Sequence, residues 1–228
     1  MEATAKKTTP VAAIDLGSNS FRLLIGQLSD SGLQPLYRDL QTVRLGKGLS
    51  QSSILAQDSI DLALTVLTDY KKKLTQYSPD YIRICGTAAL RVAENSAEFI
   101  LEAEKLLGVQ IDVLSGEEEA LLALDGALSA LGNILSTNPI LLIDVGGGST
   151  ELIYQSKHDD TPQIKSLSIG AVLLTEIMNH DNIAPNEYLF EITNFLMEIC
   201  TDIPLQIIGT GGTATSRRSR QYYCPTRT

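Results

Sequence analysis

The stretch Ile14-Asp15-Leu16-Gly17-Ser18-Asn19-Ser20-Phe21-Arg22-Leu23 returns later in the chain as Ile143-Asp144-Val145-Gly146-Gly147-Gly148-Ser149-Thr150-Glu151-Leu152. Isoleucine, aspartate, glycine, serine and leucine recur in register, and such self-similarity marks a repeated structural unit. In each copy an apolar run ends in an aspartate, a tight turn of small polar residues follows, and a second apolar run returns. That pattern predicts a β-hairpin, and two of them predict two related lobes. A weaker third match sets Arg44-Leu45-Gly46 against Ser168-Ile169-Gly170.

Between the hairpins the chain alternates strand and helix signals. Ile60, Leu64 and Leu67 recur at helical spacing within residues 52–77. Residues 81–85 read as a strand ending at Gly86, residues 98–107 as a helix stopped by Gly108, and residues 109–114 as another strand. Ser115-Gly116-Glu117-Glu118 matches a capping box, with Ser115 as N-cap and Glu118 reaching back. Leu121, Leu124, Leu128 and Leu131 then give the following helix a continuous apolar face. After Asn138-Pro139 come a strand at 140–145, a helix at 186–200 and a strand at 205–208. The organisation expected is a first lobe over 1–134 carrying the first hairpin and the capped helix, a partial second lobe over 135–216, and a divergent, disordered tail over 217–228.

Bulk properties exclude several classes of function. The 228 residues are 43% hydrophobic and 20% charged, the composition of an ordinary globular protein. No apolar run reaches the ~18 residues that cross a bilayer, and the first ten residues lack the hydrophobic stretch of a secretory signal. A cytoplasmic protein with no membrane partner is therefore expected. Cys85, Cys200 and Cys224 fit no paired spacing, so reduced thiols are expected rather than disulfides or zinc ligands. His158 and His180 have no neighbours at ligand spacing and receive no role. The net charge of −9 speaks against nucleic acid as a partner, since such surfaces cluster lysine and arginine.

The turns at 17–20 and 146–150 put small residues where a backbone must approach a ligand, with hydroxyl and amide donors beside an aspartate. Asp-Gly turns join many ordinary hairpins, and it is the duplication that favours a phosphate site. A third cluster, Gly209-Thr210-Gly211-Gly212-Thr213, follows a strand and could offer amides to a phosphate or nucleotide. Among the acids at 117–119, Glu117 is expected on the leucine side, Glu118 is committed to capping, and Glu119 is expected to point away from the apolar face. All three would also complement the positive helix N-terminus.

Two phosphate hairpins and a strand-glycine turn, in this order, resemble the actin, hexokinase and Hsp70 superfamily. Residues 15–21, Gly86-Thr87-Ala88-Ala89-Leu90-Arg91, Ser115-Gly116-Glu117-Glu118-Glu119-Ala120 and residues 144–151 resemble successive signatures of its exopolyphosphatase and guanosine pentaphosphate phosphohydrolase family. The resemblance covers residues 11–216. It implies an α/β fold of two actin-like (ribonuclease H-like) lobes with mixed sheets and a cleft between them. It also implies an enzyme that hydrolyses phosphoanhydride bonds of inorganic polyphosphate or guanosine pentaphosphate, with water as acceptor. Glu119 would orient or deprotonate the water, with Asp144 and Glu151 completing the catalytic set. Asp144, Asp15 and Glu151 would hold Mg2+ or another divalent cation, since hard cations choose carboxylate oxygens. Ser18, Asn19, Ser20, Gly147, Gly148, Ser149, Thr150, Gly211, Gly212 and Thr213 would cradle phosphates. Arg91 would pair with the phosphate chain, with Arg22, Arg44 and Lys47 as weaker candidates.

After residue 216 the pattern departs from the family. The family would continue into an apolar helix and further strands, whereas residues 217–228 lack helical periodicity and are rich in arginine. An incomplete second lobe is expected, and exposed strands there would favour self-association as a homodimer. Two other classes stay open: an ATP-dependent kinase or ATPase of the same superfamily, and a binder of polyphosphate or nucleotide without turnover.

Overall fold

The computed structural model describes residues 10–29, 32–131, 138–156, 159, 161–181, 186–199 and 205–212. The chain divides into two compact units between Val113 and Leu114. The expected boundary at 134/135 lies among residues outside the described ones, and the division falls upstream of the capped helix. Cys200, Thr213, His158 and the tail 217–228, with Cys224, also lie outside the described residues.

The first unit is built on a five-stranded sheet in the order β3-β2-β1-β4-β5. β1 (Pro10–Leu16), β2 (Ser20–Ser29) and β3 (Gly32–Thr42) run antiparallel in succession. β4 (Tyr81–Gly86) then joins β1 in parallel, and β5 (Ile111–Val113) joins β4 in parallel. The short α1 (Leu49–Ser52) leads into α2 (Gln57–Tyr77), which packs with α4 (Ser96–Leu107). Period-2 alternation places Ile14, Leu16, Phe21, Leu23 and Ile25 in one core with Leu67, Tyr70 and Phe99 from those helices. Tyr70 is 1% exposed, and its phenol donates to the Phe21 carbonyl at 3.1 Å, so its one polar atom is satisfied inside that core. Gly108 ends α4 with a φ of 77° and returns its N–H to the Glu104 carbonyl, the left-handed stop that glycine favours.

The second unit repeats this plan. β6 (Ile140–Val145), β7 (Thr150–Gln155) and β8 (Gln163–Leu167) run antiparallel in succession, and β9 (Gln206–Thr210) joins β6 in parallel, giving the order β8-β7-β6-β9. Alternation splits the apolar residues between two faces. Leu141, Leu152, Tyr154 and Leu167 pack with Phe195 and Ile199 of α7 (Asn186–Ile199) and with Leu174 of α6 (Ala171–Asp181). Leu142 and Ile153 pack with Ala120, Leu124 and Ala127 of α5 (Gly116–Leu131) on the other face. The sheet is thus the middle layer between helices.

That packing corrects two expectations. The capped helix α5 belongs with the second sheet, against the expected first lobe, because its apolar side chains are buried on β6, β7 and β8. Its buried stripe is Ala120, Leu124 and Ala127, whereas Leu121 is 39% exposed. Small alanines let the helix lie close to the sheet, and the stripe is turned toward Glu119 as a result. The capping box itself forms: the Glu118 N–H donates to Ser115 Oγ at 3.2 Å and the Ser115 N–H to Glu118 Oε2 at 2.8 Å. Ser115→Ala is expected to cost about 1 kcal/mol of stability, read by denaturant titration, because one orphan N–H loses its acceptor.

Candidate functional site

The two aspartates of the repeated hairpins sit at equivalent places with opposite partners. In the first unit Asp15 lies opposite Arg22 across β1 and β2, and Arg22 Nη1 reaches Asp15 Oδ2 at 3.3 Å. In the second unit the residue opposite Asp144 is Glu151. A carboxylate paired to arginine is already neutralised, while two facing carboxylates attract a proton or a cation. Of the expected metal set, Asp15 is met by an arginine within its own unit, whereas Asp144 and Glu151 face each other in theirs.

Both turns are locked by the same device. A Cβ on Gly17 would stand 2.8 Å from the Ser20 carbonyl oxygen, and one on Gly146 would stand 3.2 Å from that of Ser149. The first contact excludes a side chain at 17 as the turn stands, and the second is a squeeze that Ser149 would have to relieve by a few tenths of an ångström. In each unit the segment after the third strand folds over the turn. The Val43 and Arg44 N–H groups donate to the Asn19 carbonyl and that of Gly46 to Ser18, while those of Ala171 and Val172 donate to Gly146 and Gly147. The bonds come from different positions of the weak third match, but its two glycines both approach the turn: a Cβ on Gly46 would stand 3.1 Å from Ser18 Cβ, and one on Gly170 would overlap the Gly147 carbonyl.

The serines of these turns face inward. Ser18 is 5% exposed and its Oγ accepts the Ala89 N–H at 3.0 Å, which ties the first turn to α3 (Ala88–Val92). Ser18→Ala leaves that buried N–H without an acceptor, and a loss of about 1–3 kcal/mol in denaturant titration is expected. Arg91 stands on α3, whose first turn is held by this bond, and Asn19 and Ser20 are half-buried. Arg44 and Lys47 are exposed. In the second turn Ser149 is 2% exposed, Thr150 Oγ1 donates to the Ile169 carbonyl at 2.6 Å, and Gly147 and Gly148 are half-buried. Gly211 takes a φ of 83° directly after β9, with Gly212 beside it.

A polar row crosses the second sheet. Register places Thr210 opposite Asp144, Asp144 opposite Glu151, and Glu151 opposite Ser166. Each of these residues stands two positions along its strand from one of Ile208, Leu142, Ile153 and Ile164, which pack on α5, so the row lies on the α5 face. Glu119, half-buried, stands in the first turn of that helix. Glu151 is 1% exposed, and Ser166 Oγ donates to its Oε1 at 3.0 Å, while the buried Oε2 has no partner among the described residues. Burial first, and then the charges of Glu119 and Asp144, push the Glu151 carboxyl up to about 7, against the pull of the nearby Ser149 hydroxyl and of the Ser166 hydrogen bond. The structure thus brings Glu119, Asp144 and Glu151 together. Sequence reading missed Ser166, which belongs to no turn or cap, and placed Thr210 only in the third glycine cluster; the strand register sets both in this row.

Among the described residues no three of His, Cys, Asp and Glu form a cage able to hold a metal by themselves. Magnesium does not require one, since it is commonly held by one or two carboxylates with water and phosphate oxygens completing the shell. The buried, unpartnered Glu151 Oε2 next to Asp144 fits that mode. Among the described residues no helix is long and apolar enough to cross a membrane.

Known proteins share this arrangement. The chain is 38% identical over 165 residues to the guanosine-5'-triphosphate,3'-diphosphate pyrophosphatase of Vibrio cholerae, matching 72% of this chain and 32% of that protein. It thus spans about a third of the length of the curated relatives it matches. A crystal structure of an exopolyphosphatase-like protein superposes with a TM-score of 0.80 at 31% identity, covering 92% of this chain and 68% of that one. The Aquifex aeolicus member of the Ppx/GppA family gives 0.71 at 29%, covering 91% and 68%. The Ppx/GppA phosphatase family model matches residues 24–223, which include the whole second sheet and Glu119, Asp144 and Glu151, and the chain belongs to that family.

Proposed function

We propose that this protein is a phosphohydrolase that releases terminal phosphate from inorganic polyphosphate, or converts guanosine pentaphosphate to the tetraphosphate, with water as acceptor. The observation that carries the reading is the cluster of Glu119, Asp144 and Glu151 on one face of the second sheet, in a chain of this family. Phosphoryl transfer passes through a loose transition state, so a site must place the water and neutralise charge more than supply a strong base. Glu119 orients the water and takes its proton. Asp144 and Glu151 hold a magnesium ion, which when bound neutralises charge developing on the phosphate oxygens. In the second unit the turn at 147–150 and the glycines 211–212 bind phosphate through backbone amides, and in the first unit the turn at 18–20 and Arg91 offer amides and a guanidinium to the same chemistry. The protein is proposed to work in the cytoplasm, and a homodimer is the proposed assembly.

The test is phosphate release by the purified chain from long-chain polyphosphate and from guanosine pentaphosphate, with magnesium and with EDTA. Release that requires magnesium supports the reading, and the preferred substrate assigns the branch. No release from a folded chain that still binds polyphosphate would make it a binder without turnover.

A further inference from the structure

Glu151 has one oxygen held and one unheld. Ser166 Oγ donates to Oε1, and among the described residues Oε2 has no hydrogen-bond partner. The geometry around this serine is unusually tight. A Cβ added to Gly116, the first residue of α5, would stand 2.6 Å from Ser166 Cβ and would overlap its hydroxyl as well. Glycine at 116 is therefore what lets the start of α5 seat on β8 with the serine hydroxyl turned toward Glu151. Glu119 stands one turn farther along the same helix.

We propose that Ser166 is the positioning residue of the Glu151 carboxyl, and that Gly116 makes the room for it. By occupying Oε1, the hydroxyl fixes the carboxyl plane and decides that Oε2 is the oxygen offered to the site. Through Gly116 the same serine sets how near α5, and with it Glu119, approaches β7. Two carboxylates that repel each other need such a fixed spacer. A misplacement of a reacting group by an ångström lowers turnover far more than binding. Ser166 touches no reacting atom in this scheme. It acts only through Glu151.

The kinetic test rests on the proposed hydrolytic role of Glu151. Ser166→Ala is expected to lower kcat by roughly 10-fold or more while KM changes less than about twofold, since a hydrogen bond to a carboxylate is lost and phosphate contacts are kept. Gly116→Ala should do the same with the serine still present, because the new methyl displaces its hydroxyl. The double variant should lose little beyond either single one, as two changes that remove one interaction are not additive. Fully additive losses, or a Ser166→Ala enzyme at wild-type kcat, overturn the proposal. If the wild-type chain releases no phosphate, the hydrolytic reading fails and crystal structures of wild type and Ser166→Ala decide this one. A Glu151 carboxyl rotated in the variant supports positioning by Ser166, and an unmoved carboxyl overturns it.

Discussion

Glu119→Gln is expected to lower the kcat for phosphate release by roughly 10²- to 10³-fold with little change in KM, the range lost when a positioned proton acceptor is removed. Glutamine keeps the size of the side chain and its place in the first turn of α5, which is set by the Ser115–Glu118 capping box and by Ala120 and Leu124 beneath it. It cannot take a proton from water. Folding should survive, because Glu119 is half-buried and the neutral amide relieves repulsion with Glu151. The same substitution removes one of the charges that raise the Glu151 carboxyl, so the Glu151 titration should move to lower pH. Steady-state kinetics and a pH titration of the variant check both parts. Wild-type turnover in Glu119→Gln would sink the assignment of the base.

Glu151→Gln should change the pH dependence of stability more than any other single substitution in the second sheet. The Glu151 carboxyl is raised from 4.5 to about 7, so the protonated form is the one the fold prefers. Its stabilising contribution is fully present below pH 4.5 and is lost as pH rises through 7, because ionisation then charges a group that is 1% exposed. The span corresponds to on the order of 3 kcal/mol. In metal-free buffer the wild type should lose that much between the two pH values, and Glu151→Gln should lack this component. Above pH 7 the variant should be the more stable protein. Denaturant titrations of both across the pH range make the comparison, and parallel curves would refute the buried-acid account. Added magnesium should restore wild-type stability at high pH if Asp144 and Glu151 hold the ion, since a ligand bound only to the folded state stabilises it.

Several features were legible from residues alone because their causes are local. Gly17 leaves no room for a side chain and Gly146 little, and the sequence shows glycine in the same place of both copies. Ser115 and Glu118 satisfy each other across three residues, and Gly108 stops α4 by its own φ. These depend on neighbours along the chain, as capping and turn chemistry do. The surroundings of Glu119 differ from those the helical wheel suggested. The wheel set the leucines inward and Glu119 away from them, whereas the fold buries Ala120, Leu124 and Ala127 and draws Glu119 toward Glu151.

What the sequence by itself determined is the duplicated hairpin, the order of most strands and helices, the capped start of α5 and the aspartates at the two turns. Tertiary structure alone decided that α5 packs on the second sheet, and that Asp15 is met by Arg22 while Asp144 is met by Glu151. It also decided that Thr210, Asp144, Glu151 and Ser166 line up across four strands. The physical reason is range. Turns and caps are settled by hydrogen bonds within a few residues, whereas cross-strand register, helix docking and the burial that lifts a carboxyl to about 7 come from segments far apart in the chain.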